Sequence, residues 1–171
     1  VTKSKPKHTR ILGIDPGFGR IGYGVIEQRG GDWAHVAHGC IETKKSASFV
    51  DRLDDLHGRL KDVIKEFQPH RAAVEELFFY KNVTTAIKVG QARGVILLTL
   101  RQANLPIDEL TPLQVKQAMT GYGRAEKRQM QRMVAVMLGL GKKIIQDDAA
   151  DALAVALAAG TSLRMKTLLE Q

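Results

Sequence analysis

An α/β domain built around a mixed sheet is the fold class this sequence predicts, and three observations lead to it. Short apolar runs broken by glycine and turn residues open the chain. A long segment of helical period follows them. Thereafter short strand-like runs alternate with helix-like ones, which is the order of a sheet flanked by helices.

Ile11 to Asp15 is an apolar run ending at Pro16-Gly17, a strand running into a turn. Arg20 to Gln28 and Trp33 to Thr43 are two further strands, and Arg29-Gly30-Gly31-Asp32 between them predicts a hairpin. In Phe49 to Phe67 the apolar residues step by three or four, through Phe49, Leu53, Leu56, Leu60, Ile64 and Phe67. This is an amphipathic helix, with Ser48 and Asp51 placed as a capping box. Arg71 to Leu77 is a short strand. Val83 to Ala103 is a helix with little charge, and Ala86, Gly90 and Gly94 leave one side of it open to a second helix. Pro106 to Thr111 reads as the fifth strand, Pro112 to Met119 as a short helix, and Gly121-Tyr122-Gly123 as a break. Ala125 to Leu138 is helical, with Met130, Met133, Val134, Met137 and Leu138 as its core face. Gly139 and Gly141 stop it, and Asp147 to Ala159 is the last strong helix. The reading is one domain over residues 11–160, a basic and disordered arm over 1–10, and a weakly specified tail over 161–171.

The 171 residues include 26 Lys and Arg against 18 Asp and Glu, a net charge of +8 that favours polyanionic partners. The surplus is uneven: Lys3, Lys5, Lys7 and Arg10 crowd the start, and Lys116, Arg124, Lys127, Arg128, Arg132, Lys142 and Lys143 face Glu126 alone between 112 and 143. A solvated helix face explains such a run as readily as a binding surface does. The single cysteine, Cys40, excludes an intrachain disulfide and fits a reducing compartment. No uninterrupted apolar run approaches the roughly 18 residues of a membrane span, and no hydrophobic stretch follows the basic start as a secretion signal requires. The expectation is a cytoplasmic protein with no membrane partner.

Four acids sit where packing prefers apolar groups: Asp15 at the end of ILGID, Glu75 within AAVEEL, and Asp148 and Asp151 one turn apart in DDAADALAVALAA. Asp15 before Pro-Gly is also ordinary turn chemistry, and Asp147 or Asp148 also suits a helix cap. Asp151 is harder to explain that way. It leads an alanine- and leucine-rich helix, a buried carboxylate needs a cation, and few lysines or arginines lie near it in sequence. A divalent metal shared among the acids answers that cost, and oxygen-only ligands select Mg²⁺ or Mn²⁺. The five histidines are scattered, and neither a zinc motif nor a phosphate-binding GxxxxGK[ST] loop is present. Acids beside a basic stretch point to phosphodiester hydrolysis.

Four segments, ILGIDPGFGRIGYGVIE, AAVEELFFYKNVTTAIKVGQARGV, TPLQVKQAMTGYGRAEKRQMQRMV and DDAADALAVALA, together resemble the RuvC family of bacterial Holliday junction resolvases. The resemblance runs in order from Ile11 to about Gly160, and the combination of KN-x₅-KVGQARG with DAADALA is its most specific part. It implies an RNase H-like fold with a mixed five-stranded sheet. It also implies a homodimer that cuts four-way DNA junctions symmetrically, leaving 5′-phosphate and 3′-hydroxyl ends, with Mg²⁺, two ions per site, replaceable by Mn²⁺. The family's catalytic and metal-binding carboxylates fall on Asp15, Glu75, Asp148 and Asp151. Glu76 is read as a non-ligand on the motif alone, because a strand covered on both faces gives no parity signal. Lys116 and Lys127 are the phosphate contacts nearest the reacting bond, with Arg124 and Arg128 as further DNA contacts. Phe78, in the run Phe78-Phe79-Tyr80, is placed to stack on an unpaired base. A RuvA–RuvB branch-migration complex is the implied partner. The competing readings are a related nuclease acting on RNA or other branched DNA, a junction-binding module without activity, and an actin-like ATPase. The last is disfavoured by chain length and the missing phosphate loops.

Overall fold

The computed structural model describes residues 8–77, 83–141 and 146–169. Phe78, Lys142, Lys143 and most of the basic N-terminal arm lie outside the described residues.

Three antiparallel strands come first: β1 (Arg10–Asp15), β2 (Arg20–Arg29) and β3 (Asp32–Glu42). Helix α1 (Phe49–Phe67) then crosses to β4 (Arg71–Glu75), which pairs parallel to β1, and α2 (Val83–Gln102) leads to β5 (Ile107–Leu110), parallel to β4. The sheet order is β3-β2-β1-β4-β5, a mixed five-stranded sheet as the element order predicts. Helices α3 (Pro112–Thr120), α4 (Lys127–Met137) and α5 (Asp147–Leu169) complete the chain.

Strand alternation divides the core in two. On one face Leu12, Ile14, Ile21, Val25 and Val74 pack beneath α1 and α2. On the other, Ile11, Ile26 and Ala73 pack beneath α5, which is itself covered by α3 and α4. Between its first turn and Ala159, α5 is buried on nearly every side.

Several local expectations change. Ser48 caps α1 by accepting from the Asp51 amide at 3.1 Å, but its hydroxyl donates to the Asp51 carboxylate at 2.6 Å, so the reciprocal half of the box is replaced by a side-chain pair. The complete capping box is at α3, where Thr111 and Gln114 satisfy each other's backbone amides. Helix α5 runs to Leu169, ten residues beyond the expected Ala159, because no breaker follows Gly160 and that glycine sits against Trp33. Met137 is exposed rather than part of the methionine face, because α4 meets α5 through Met130, Val134 and Leu138. Finally, α2 is long and apolar enough to cross a membrane by length and composition alone, with mean hydropathy 1.2 over an 18-residue window, although its uninterrupted apolar run is short. Arg93, in the middle of it, is turned inward onto the sheet and bonded to Glu109.

Candidate active site

The site is assembled where the parallel strands end. Asp15 is the last residue of β1 and Glu75 the last of β4, and the pairing of Ile14 with Val74 makes the two acids neighbours. Ala73 belongs to the α5 side and Val74 to the opposite side, so Glu75 falls on the α5 side with Asp15. Glu76 has the other parity, and its amide continues the ladder to the Leu110 carbonyl at 2.8 Å. Once the faces are known, alternation separates two acids that the sequence left to the motif. Arg93 braces this strand end by donating to the Glu75 carbonyl at 3.4 Å.

Helix α5 brings the other two acids in from above. Asp15 pairs with Gly22 across the β1–β2 ladder, and a Cβ on Gly22 would lie 1.9 Å from the Asp148 carbonyl oxygen. A Cβ on Gly13 would lie 2.2 Å from the carbonyl of Ala152. Only glycine lets the helix backbone approach so closely, and that approach sets Asp148 and Asp151 over the strand ends. Glu75, Lys116, Val115, Lys127, Met130 and Asp151 line the resulting cleft of about 240 Å³.

The acids are coupled through their charges. Burial, then Asp151 and Asp148, push the Asp15 carboxyl up to about 7, with Lys127 opposing them. Burial, then Asp15 and Asp151, raise Glu75 to about 7 as well, with Lys116 opposing. Asp151 is also raised, chiefly by burial, although Lys127 works in the other direction. Burial is the first cause in each case, and for Asp15 and Glu75 the repulsion between neighbouring carboxylates comes next.

Two basic side chains reach into the cluster. Lys127 Nζ lies 3.2 Å from Asp151 and 3.3 Å from Asp147, and the Gln131 amide holds the other Asp147 oxygen at 2.9 Å. Arg20 lies 3.6 Å from Asp148 and is clamped by Glu42 at 2.8 Å. Asp151 therefore has a cation, supplied by α4, a partner distant in sequence and invisible to a search of its neighbours. It is also half-buried rather than enclosed. Asp147, expected as a cap, instead stands in the first turn of α5 and pairs with Lys127; the Gln146 carbonyl accepts from Ala150 to open the helix.

The chemistry of the donor set suits a divalent ion: four carboxylates, all hard oxygen donors. Among the described residues, however, no three acidic, histidine or cysteine side chains are grouped closely enough to share one ion. Lys127 and Arg20 stand on two of the four acids.

Of the expected DNA contacts, Lys116 and Lys127 line the cleft, whereas Arg124 and Arg128 are exposed and do not. Helix α4 begins at Lys127, so Arg124 precedes it and shares no helical face with Arg128 and Arg132. Sequence reasoning missed Arg20, whose only signal was its place five residues after Asp15. It also missed Arg52, stacked 4.1 Å over the Phe18 ring beside the β1–β2 turn, with Lys88 at 5.4 Å on the same ring.

The family model described as crossover junction endodeoxyribonuclease RuvC matches residues 11–159. The chain belongs to the RuvC family. A RuvC from Petrotoga mobilis is 53% identical over 154 residues, spanning 90% of this chain and 94% of that one. Another from Thermosipho melanesiensis is 52% identical, spanning 86% and 94%. Among solved structures, Thermus thermophilus RuvC superposes with a TM-score of 0.84 at 36% identity, covering 93% of this chain and 98% of that one. The same protein in complex with a Holliday junction substrate gives 0.86, covering 93% and 97%. These RuvC structures bear out the RNase H-like fold, and membership makes the chain an endodeoxyribonuclease of a family that uses a divalent metal. The yeast mitochondrial resolvase Ydc2, at 15% identity and a TM-score of 0.66, shares the fold.

Proposed function

We propose that this protein resolves four-way DNA junctions in the bacterial cytoplasm by paired, symmetric incisions, as a homodimer using Mg²⁺. The observation that carries the reading is the convergence of Asp15, Glu75, Asp148 and Asp151 at the strand ends beside Lys116 and Lys127, in a chain of the RuvC family.

Asp15, Glu75, Asp148 and Asp151 are the residues that would hold the metal. Two bound Mg²⁺ ions, or Mn²⁺ in their place, would supply activation of a water and stabilisation of the leaving oxygen. The chain's own contribution is positional and electrostatic. The acids give up their protons and fix a negatively charged floor that DNA phosphates enter only when cations neutralise it. Lys116 and Lys127 on the cleft walls meet the charge of the reacting phosphate. Water adds to phosphorus, the bond to the 3′ oxygen breaks, and 5′-phosphate and 3′-hydroxyl ends remain. Arg124 and Arg128, exposed outside the cleft, contact the phosphates of the arms, and Phe78 stacks on a base opened at the crossover.

The dimer is proposed to form through α2. Val83 is 77% exposed, Ile87 58% and Leu98 57%, and nothing stands before the Cβ positions of Gly90 and Gly94. A two-fold axis through such a face places two clefts for cuts on strands of like polarity. The RuvA–RuvB complex is the proposed partner in the cell. Incubation with a four-way junction and Mg²⁺, beside a linear duplex of the same sequence, tests the reading. Paired nicks in opposing arms of the junction alone are expected; equal cutting of the duplex, or none of either, would overturn it.

A further inference from the structure

Glu42 and Asp147 belong to neither the proposed ligand set nor the cleft lining, yet each holds the cation that touches a proposed ligand. Arg20 is shared between Asp148 at 3.6 Å and Glu42 at 2.8 Å, and it bonds Glu42 a second time through Nε at 2.9 Å. Lys127 is shared between Asp151 at 3.2 Å and Asp147 at 3.3 Å. The two arrangements are built alike on α5, which carries both inner acids: β2 and β3 supply Arg20 and Glu42 in one case, α4 and α5 itself supply Lys127 and Asp147 in the other. Each consists of one basic side chain, one acid inside the cluster and one acid outside it.

We infer that Glu42 and Asp147 are positioning residues that take over Arg20 and Lys127 when a divalent ion binds, so that metal entry is an exchange of cations. The inference rests on the metal reading above. Before the metal arrives, Arg20 and Lys127 offset the repulsion among four crowded carboxylates. A metal ion must displace both from Asp148 and Asp151, and a guanidinium or ammonium left without a counter-charge beside the ion would oppose its binding. The outer acids remove that opposition. Arg20 already makes its shorter contacts to Glu42, so releasing Asp148 breaks only its longest one. Lys127 keeps Asp147, whose orientation is fixed by the Gln131 amide, and remains beside the cleft for the phosphate.

Exchange and simple charge part company only in the double variants. Any lost negative charge near a cation site weakens it, whatever the pairing. If Glu42 acts through Arg20, its removal matters only while Arg20 is present. The test is Mn²⁺ binding to the full chain without DNA, read as the loss of the free-ion electron paramagnetic resonance signal, for Glu42→Gln, Arg20→Gln and the double variant, with Asp147→Asn, Lys127→Gln and their double variant as the second cycle. Glu42→Gln and Asp147→Asn should each weaken Mn²⁺ binding about twofold to fivefold, the range an exposed ion pair transmits. Arg20→Gln and Lys127→Gln should each tighten it by a similar factor, and within each double variant the outer acid should have lost its effect. Equal effects of Glu42→Gln with and without Arg20, and of Asp147→Asn with and without Lys127, would overturn the exchange while leaving the metal site standing. Unaltered protein that binds no Mn²⁺ would overturn the metal reading and the exchange with it.

Discussion

On one face of the sheet α5 lies with its backbone against the strands, at Gly13 and Gly22; on the other, α1 and α2 rest on a layer of leucine, isoleucine and valine. The first contact is rigid, because atoms of two main chains meet and no rotamer can absorb an error. The second is a thicker layer of side chains, with Leu56, Leu60, Ile96 and Leu100 filling the gap, and side chains can repack where main chain cannot. All four candidate acids are on, or at the end of, the rigid face. A site that must place carboxylates from two strands and a helix within reach of the same ions is better served by main-chain contact than by side-chain packing. The face that tolerates repacking is left to carry stability and, through the outer side of α2, the proposed dimer.

The largest expected effect comes from the acids of the rigid face. Asp151→Asn and Asp148→Asn should each lower single-turnover junction cleavage by about a thousandfold or more in saturating Mg²⁺, since lost metal charge removes several kcal/mol of transition-state stabilisation. Junction binding measured in Ca²⁺ should stay intact or tighten, because a charge repelling phosphate is gone. Activity close to the unaltered rate in both would sink the assignment of α5 to the site.

Next comes a direct contrast between faces. Gly22→Ala forces the first turn of α5 away from β2 and should lower cleavage about a hundredfold, with circular dichroism still showing a folded protein. Leu60→Ala, on the buried side of α1 where Leu60 is 1% exposed, should cost about 2–5 kcal/mol of stability. Its cleavage rate per folded molecule should match that of the unaltered chain. The reverse pattern would show that the deformable face, not α5, sets the geometry.

Lys127→Ala should slow cleavage about tenfold, more than Lys142→Ala, by removing the cleft-wall charge. Equal losses would reject its placement beside the reacting phosphate. The pH response separates the faces too, because the groups raised to about 7, Asp15 and Glu75, are both at the end of the rigid one. Their folded values lie above the ordinary unfolded value near 4, so the folded protein binds more protons between about 4 and 7. Metal-free stability from these two groups is therefore fully present below about 4 and falls as pH rises through 7. Metal binding runs the other way and tightens up to about 7. Urea melts in chelator at pH 5 and pH 7.5 check the first; a melt that gains stability on the way up through these groups would contradict it. The smallest effect is Asp147→Asn, within about threefold in saturating Mg²⁺. If it were inactive while Asp148→Asn cleaved normally, the helix register would be off by one residue.

Much of this was legible in the chain before any coordinates. The strand at Ile11 to Asp15, the hairpin and α1 follow from period and turn residues, because those segments are local. Asp151 stood out because its neighbours are apolar. What escaped has a common cause: it depends on which distant elements meet. Lys127 and Asp151 are neighbours only because α4 packs on α5, and Arg20 meets Glu42 and Asp148 only through the β2–β3 register and the close seat of α5. The choice of Glu75 over Glu76 needed the faces of Ala73 and Val74, which two apolar layers hide from any alternation pattern. The capping box of α3 was written plainly in TPLQ and needed only to be read.

The ends of β1 and β4 and the first two turns of α5 are proposed to form one metal site. Crystals of the protein loaded with Mn²⁺ and measured at an energy that reveals manganese test it most directly. The account predicts anomalous peaks bounded by Asp15, Glu75, Asp148 and Asp151, with Lys127 moved off Asp151. Well-ordered carboxylates with no peak among them, or manganese bound only elsewhere on the molecule, would contradict it.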